Sequence, residues 1–296
     1  MKLFVVCGPT CTGKTALAHR LCKKYSGEII SADSRQIYKY MDIGTGKLPL
    51  RDAKTPVVKA GDCWTFDGVS VWGYDLVTPN RYFSAYAFAV YTQAKIAEIN
   101  ARGKIAFLVG GTGFYIDAAL GNLNLQTSEP DLSARTKLEK LSNEELLSKL
   151  SPDQYPKDIK NKVRLVRAVE KSSTSNKLST LATLNPDLVV GLTASRERLY
   201  KRADTWVDFI WQNGLVEEVK NLVLAGYRDS PKLGGLIYKS VLAFVEGLTT
   251  KEQAIERCKF DTHAYIRRQQ TYFKRNPNIS WFDMQDSDKI NPWTRI

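Results

Sequence analysis

The sequence predicts an α/β fold: a parallel sheet flanked by helices, with an all-helical segment inserted into it. Three observations carry this reading. Short apolar runs at Leu3–Cys7, 28–32 and 105–109 alternate with longer amphipathic stretches, the pattern of parallel strands joined by helical crossovers. A glycine-rich turn at 8–15 joins the first run to the first helix. After Gly121 the apolar spacing turns helical for about 60 residues, and a strand-like run returns at 188–192.

Taken in order, Leu3–Cys7 reads as a buried strand and Lys14–Tyr25 as a helix with Ala16, Leu17, Leu21 and Cys22 on its inner side. Residues 28–32 form a second strand. Between Pro56 and Pro79 the segments are short, aromatic and strand-like, with no order assigned. Residues 84–102 read as a helix, and 105–109 as a strand closed by Gly110-Gly111. Residues 122–130 are a polar connection. In 157–171 a helix would carry Ile159, Val163, Val166 and Val169 as an apolar stripe, with Lys160, Arg164, Arg167 and Lys171 sharing another face. Residues 172–177 (SSTSNK) read as a turn or mobile loop. Helices are expected at 196–213, 215–225, 238–246 and 251–274. The predicted division is a core of 1–121 with 187–296, and a helical insertion of 122–186. There is no internal repeat and no low-complexity tract.

Composition narrows the class. Hydrophobic residues at 43% and charged residues at 25% fit a globular chain with a packed core. Apolar runs of five residues are far too short for a membrane span, and the N-terminus lacks the pattern of a secretory signal. Five cysteines without CxxC spacing, beside two histidines, argue against zinc and for a reduced, cytoplasmic protein. The net charge of +12 is unevenly placed: 157–171 and 255–275 each carry six basic and two acidic residues. A solvated helix face explains one such stretch; two, beside a phosphate-binding turn, favour a polyanionic partner.

Gly8-Pro9-Thr10-Cys11-Thr12-Gly13-Lys14-Thr15 matches G-x-x-x-x-G-K-[ST] at every defined position, after a strand and opening a helix. The core is therefore P-loop NTPase-like. Such a loop turns backbone N–H groups and a helix N-terminus toward an anion. Lys14 is expected on terminal phosphate oxygens, and Thr15 on Mg²⁺ through its hydroxyl. The loop reads a diphosphate, whether or not that group belongs to a nucleotide such as ATP. The strand at 105–109 ends without the acid an NTPase needs. The nearest acid at a strand end is Asp33, which topology places at the carboxyl edge of the sheet beside the phosphate loop; its functional reading is a general base or a magnesium ligand, its structural one a turn or N-cap residue.

At this point the residues resemble those of the tRNA dimethylallyltransferase (tRNA isopentenyltransferase) family. GPTCTGKTALA, SADSRQIYKYMDIGTGK, YFSAYAF and LVGGTGFYIDAAL are similar to four family signatures; RLVRAVE, RERLYKR and IRRQQTYFKRNPNISWFD match more loosely. The resemblance runs from Phe4 to Asp283. It implies that the loop, Gly8 through Thr15, grips the diphosphate of dimethylallyl diphosphate with Mg²⁺, helped by Arg202. It implies transfer of the dimethylallyl group to the N6 amine of an adenine 3′ to the anticodon, flipped into a channel. By the same match Asp33 is the base and Ser34 and Gln36 read the adenine. Contact with the tRNA anticodon stem-loop is assigned to Asp33, Ser34, Arg35, Gln36, Thr112, Val163, Arg164, Leu165, Val166, Arg167, Arg267 and Arg268. A monomer off the membrane is expected.

The chain departs from the family pattern in four places. Trp72-Gly73 stand where a histidine pair is usual, His263 where an arginine follows Thr262, and Ile237 where a glycine precedes Tyr238. Arg202 matches the first of two arginines four apart, but Trp206 stands at the second, which in relatives helps hold diphosphate. Two other classes remain in play: a P-loop kinase of a small molecule or nucleoside, and a tRNA-binding relative weakened in catalysis. ATP consumption stimulated by a metabolite would mark the first, tight tRNA binding without prenyl transfer the second.

Overall fold

In a computed structural model, which describes residues 1–47, 56–125, 131–173 and 181–291, the chain divides into two compact units. One comprises Met1–Asn122 with Thr183–Ile296, the other Leu123–Ala182. Residues 183–186, which composition assigns to the insertion, belong with the α/β unit: the Leu184 N–H donates to the Leu120 carbonyl at 2.9 Å.

The α/β unit is built on β1 (Leu3–Cys7), β2 (Gly27–Ser31), β3 (Val57–Ala60), β4 (Cys63–Phe66), β5 (Val69–Trp72), β6 (Ile105–Gly110), β7 (Leu188–Thr193) and β8 (Ser280–Asp283). They form one sheet in the order β3-β4-β5-β2-β6-β1-β7-β8. From β5 to β8 every pairing is parallel; β3, β4 and β5 form an antiparallel meander at one edge. That meander is the aromatic 56–79 segment, whose alternating burial in β4 and β5 marks strands covered on one side. In contrast β1 and β6 are buried at every position, because helices cover both faces. Leu3, Val5 and Cys7 enter one apolar core, while Phe4 and Val6 enter the other.

Around the sheet lie α1 (Lys14–Tyr25), α2 (Ala85–Ala101) and α3 (Gly113–Ala119). The second unit holds α4 (Leu132–Lys140), α5 (Asn143–Leu147) and α6 (Lys162–Ser173). The chain then returns through α7 (Arg196–Gln212), α8 (Leu215–Leu224), α9 (Leu236–Val245) and α10 (Lys251–Phe273). No helix among the described residues is long and apolar enough to cross a membrane. Sequence periodicity missed α3, a short helix after a glycine turn, and β8, which only its parallel partner β7 identifies as a strand.

The insertion corrects one expectation. The helix begins at Lys162, not at 157, so Ile159 and Lys160 lie outside it. Asn161 precedes it, its side chain accepting the Arg164 N–H at 3.3 Å. Val163 is 79% exposed, whereas Leu165, Val166 and Val169 pack with Leu146 and Leu150 into a small core. The apolar stripe is therefore 165/166/169: Val166 and Val169 are as expected, and Leu165 joins them in place of Ile159 and Val163. Most of the SSTSNK tract (174–177) and most of the 122–130 connection (126–130) lie outside the described residues.

Candidate active site at the carboxyl edge of the sheet

Strands β2, β6 and β1 are neighbours in the sheet and parallel, so the turns leaving them emerge side by side. Ligands of open α/β sheets bind at this edge. Here it gathers residues of the 8–15 turn, Asp33, Gly110 and Gly111 around one cleft of about 250 Å³.

The phosphate loop needs its glycines for different reasons. At Gly8, φ is +132°, and a Cβ would lie 2.2 Å from the Leu192 carbonyl oxygen. Gly13 takes the left-handed position (φ +85°) that opens α1. Three side chains set the loop's shape. The Thr12 hydroxyl donates to the Pro9 carbonyl (2.9 Å), Arg202 Nε donates to the Cys11 carbonyl (2.7 Å), and Gln269 Oε1 accepts the Thr10 N–H (2.9 Å). While that last bond stands, Thr10 does not offer its N–H to an anion. Lys14 Nζ folds onto the Pro9 carbonyl at 2.6 Å, and burial lowers its pKa to about 8. A diphosphate would restore the charge that burial disfavours.

Asp33 lies two residues beyond β2 and faces the same cleft. Its Oδ1 accepts the Arg35 N–H at 2.9 Å, a local turn bond. Burial pushes its carboxyl above the usual aspartate range, opposed by that bond and by the Lys14 and Arg35 charges. Ser34 donates its N–H to Thr112 Oγ1 at 3.2 Å, so the β2 and β6 turns are tied together. Two residues expected to read RNA also bond the chain itself. Gln36 Nε2 donates to the Thr45 and Gly46 carbonyls (3.0 and 3.3 Å), while its Oε1 accepts from Ser31 Oγ (2.6 Å). Arg35 NH1 donates to the Lys232 carbonyl at 3.0 Å.

The 42–46 turn that receives Gln36 is itself held by a residue no sequence pattern marked. The Glu218 carboxylate accepts N–H groups from Asp42, Ile43 and Gly44 at 2.6–3.1 Å and the Tyr238 hydroxyl at 2.7 Å. Tyr238, Tyr265 and Trp206 line the cleft with Lys14 and Asp33. The Trp206 ring extends toward Gly46, where an added Cβ would lie 3.9 Å from Cζ2. Arg198, four residues before Arg202 on α7, is paired with Asp283 at 3.3 Å. The terminal nitrogens of Arg202 have no partner among the described residues.

A divalent ion fits the donor set only in a lean form. Among the described residues no group of three His, Cys, Asp or Glu side chains is arranged to hold a metal. The Thr15 hydroxyl, in the first turn of α1, is exposed and has no partner among the described residues. One hydroxyl with diphosphate oxygens and water is the usual sphere of Mg²⁺ at a phosphate loop.

Arg267 and Arg268 project from α10 as exposed residues, Arg267 bonded to the Tyr200 hydroxyl at 3.0 Å and Arg268 over the Tyr265 ring. In the second unit, Arg164 is exposed and Arg167 pairs with Glu170 at 3.0 Å. Leu165 and Val166, expected among the RNA contacts, have side chains buried in the unit's core.

A family model described as IPP transferase matches residues 36–276, and one described as Isopentenyl transferase matches residues 1–54. A tRNA dimethylallyltransferase of Acetivibrio thermocellus is 36% identical over 303 residues, covering 97% of this chain and 93% of that protein. One of Staphylococcus haemolyticus is 36% identical, covering 96% and 87%. Among solved structures, a tRNA isopentenylpyrophosphate transferase of Bacillus halodurans superposes with a TM-score of 0.68 at 34% identity, covering 96% of this chain and 90% of that one.

Proposed function

The chain belongs to the IPP transferase family; we propose that it is a tRNA dimethylallyltransferase, moving a dimethylallyl group from its diphosphate to the N6 amine of the adenosine 3′-adjacent to the tRNA anticodon. One observation carries the reading: Lys14 and Asp33 open on the same cleft, so an anion cradle and a buried carboxylate face one another.

In the proposed reaction the donor diphosphate lies on the 8–15 loop, with Lys14 charged against its terminal oxygens. The adenine N6 attacks the allylic carbon, the carbon–oxygen bond to diphosphate breaks, and the N6 proton passes to Asp33. An aromatic amine is a weak nucleophile, and a carboxylate partly stripped of water is a better proton acceptor than one in bulk solvent. Mg²⁺, held by Thr15, would neutralise the leaving diphosphate. Arg202, already fixed on the Cys11 carbonyl, can direct its terminal nitrogens to the same oxygens. Tyr238, Tyr265 and Trp206 give the cleft an aromatic lining suited to an allylic group and an extruded base. Arg164, Arg167, Arg267 and Arg268 are proposed to hold RNA phosphates.

The direct test mixes protein, Mg²⁺, labelled dimethylallyl diphosphate and unmodified tRNA with an adenine-rich anticodon loop, without ATP. Label on an adenosine after digestion is the expected result. Bound tRNA without label would overturn the transferase reading in favour of a binding protein disabled at Trp206.

A further inference from the structure

We propose that Gln269 is a positioning residue that locks the phosphate loop to the turn carrying Thr112, so that the donor and acceptor sides of the cleft are held in one arrangement. The inference rests on the transferase reading above. Gln269 follows the exposed Arg267 and Arg268 on α10, yet is only 4% exposed itself. A buried amide is costly unless both ends are paired, and here both are. Oε1 accepts the Thr10 N–H and Nε2 donates to the Gly111 carbonyl, each at 2.9 Å. Gly111 is shaped for this contact: a Cβ there would lie 2.2 Å from Nε2.

The position of the bridge gives it consequence. Strands β1 and β6 are last paired at Cys7 and Gly110; beyond that pair the two turns separate. Among the described residues no backbone hydrogen bond joins 8–13 to 111–112, so the Gln269 amide makes the connection. From Gly111 the path continues in two bonds. The Thr112 N–H donates to the Ala32 carbonyl at 3.2 Å, and Thr112 Oγ1 accepts the Ser34 N–H at 3.2 Å. Ala32 and Ser34 are the two chain neighbours of Asp33. The loop that would grip the diphosphate and both flanks of the proposed base are therefore joined through one side chain. A neutral amide suits the place because it supplies one acceptor and one donor without adding charge beside a diphosphate.

The test compares Gln269→Met, which keeps length and volume but removes both bonds, with Gln269→Glu, which keeps only the acceptor and turns a carboxylate oxygen toward the Gly111 carbonyl. Calorimetry with magnesium and inorganic diphosphate reads the donor side; steady-state transfer to tRNA reads the whole site. Gln269→Met is expected to lower diphosphate affinity and kcat each about tenfold, with KM for tRNA within about twofold. Gln269→Glu should lose more diphosphate affinity than Gln269→Met. Combined with Thr112→Ala, the kcat losses should fall well short of multiplying, because both changes cut one path. Wild-type kinetics in Gln269→Met, equal affinity losses in the Met and Glu variants, or fully multiplying losses would each overturn the proposal. A wild-type protein that binds magnesium diphosphate but transfers nothing would sink the transferase reading alone, and the calorimetric comparison would still decide Gln269.

Discussion

The cleft and the helical insertion treat their polar and charged side chains in opposite ways. Around the cleft, side chains from distant elements fix the loops: Arg202 on the Cys11 carbonyl, Gln269 between Thr10 and Gly111, Glu218 across three N–H groups of the 42–44 turn. In the insertion a small apolar core carries α6, and Arg164 points to solvent with only Arg167 and Arg135 tied to Glu170. The difference follows from what each region handles. Breaking a bond at one carbon requires charges held to fractions of an ångström before the substrate arrives. Holding a polyanion requires positive charge in number, with little demand on geometry.

Substitutions can break this contrast, and the largest effect is expected at the base. Asp33→Ala should lower turnover about a thousandfold while leaving tRNA affinity within about threefold, by transfer kinetics and filter binding. Retained turnover would remove Asp33 from proton transfer. Next, Lys14→Ala should reduce kcat/KM for the donor about a hundredfold. Unchanged donor kinetics would disprove the diphosphate cradle. In the insertion, Arg164→Ala with Arg167→Ala should weaken tRNA binding about tenfold and flatten its log–log salt slope by about 2, with kcat at saturating tRNA unchanged. An unaltered slope would return α6 to a solvated face.

Two smaller effects sharpen the comparison through protons. Burial holds Lys14 at about 8 in the empty loop, so its charge is lost as pH rises through that value. Bound diphosphate should raise that pKa. Binding should therefore take up to about one proton between pH 8 and 10 and weaken across that window, read by calorimetry in buffers of different ionisation enthalpy. Proton uptake that persists in Lys14→Met would assign it elsewhere. The raised carboxyl of Asp33 has the opposite meaning for stability. Its folded state favours the protonated form, so the ionised group costs stability at neutral pH and the cost shrinks as pH falls. Asp33→Asn should raise Tm by about 2 °C at pH 7 while abolishing turnover. A lower Tm would mean that the carboxylate is structurally required.

Much of the site could be read from residue order alone, because its pieces are contiguous. The phosphate loop, the acid after the second strand and the glycine turn after 105–109 each lie within one strand–turn–helix unit, where local chemistry and chain direction suffice. Gln269 and Glu218 could not be found that way. Each sits on a helix more than 150 residues from one of the backbone groups it holds, and nothing in its neighbours signals a partner. The one hint was that a neutral glutamine stood at an inward position of the basic α10. Helix 162–173 was legible in type and in its inward Val166 and Val169 but not in its start, because charged residues before Lys162 continue its pattern without continuing its hydrogen bonds.

By itself, then, the sequence determined the α/β class, the anion-binding turn, the family resemblance and the basic character of two segments. These depend on local periodicity, on glycine-permitted backbone and on charge count. Only the tertiary structure decided that the Gln36 amide is spent on the chain's own groups, that Arg35 is anchored to a carbonyl of the chain, and that Leu165 and Val166 face inward. It also decided that a single amide joins the two turns. Such facts depend on which groups are left to satisfy one another once the strands have paired, and hydrogen-bond satisfaction in a packed interior belongs to no single stretch of chain.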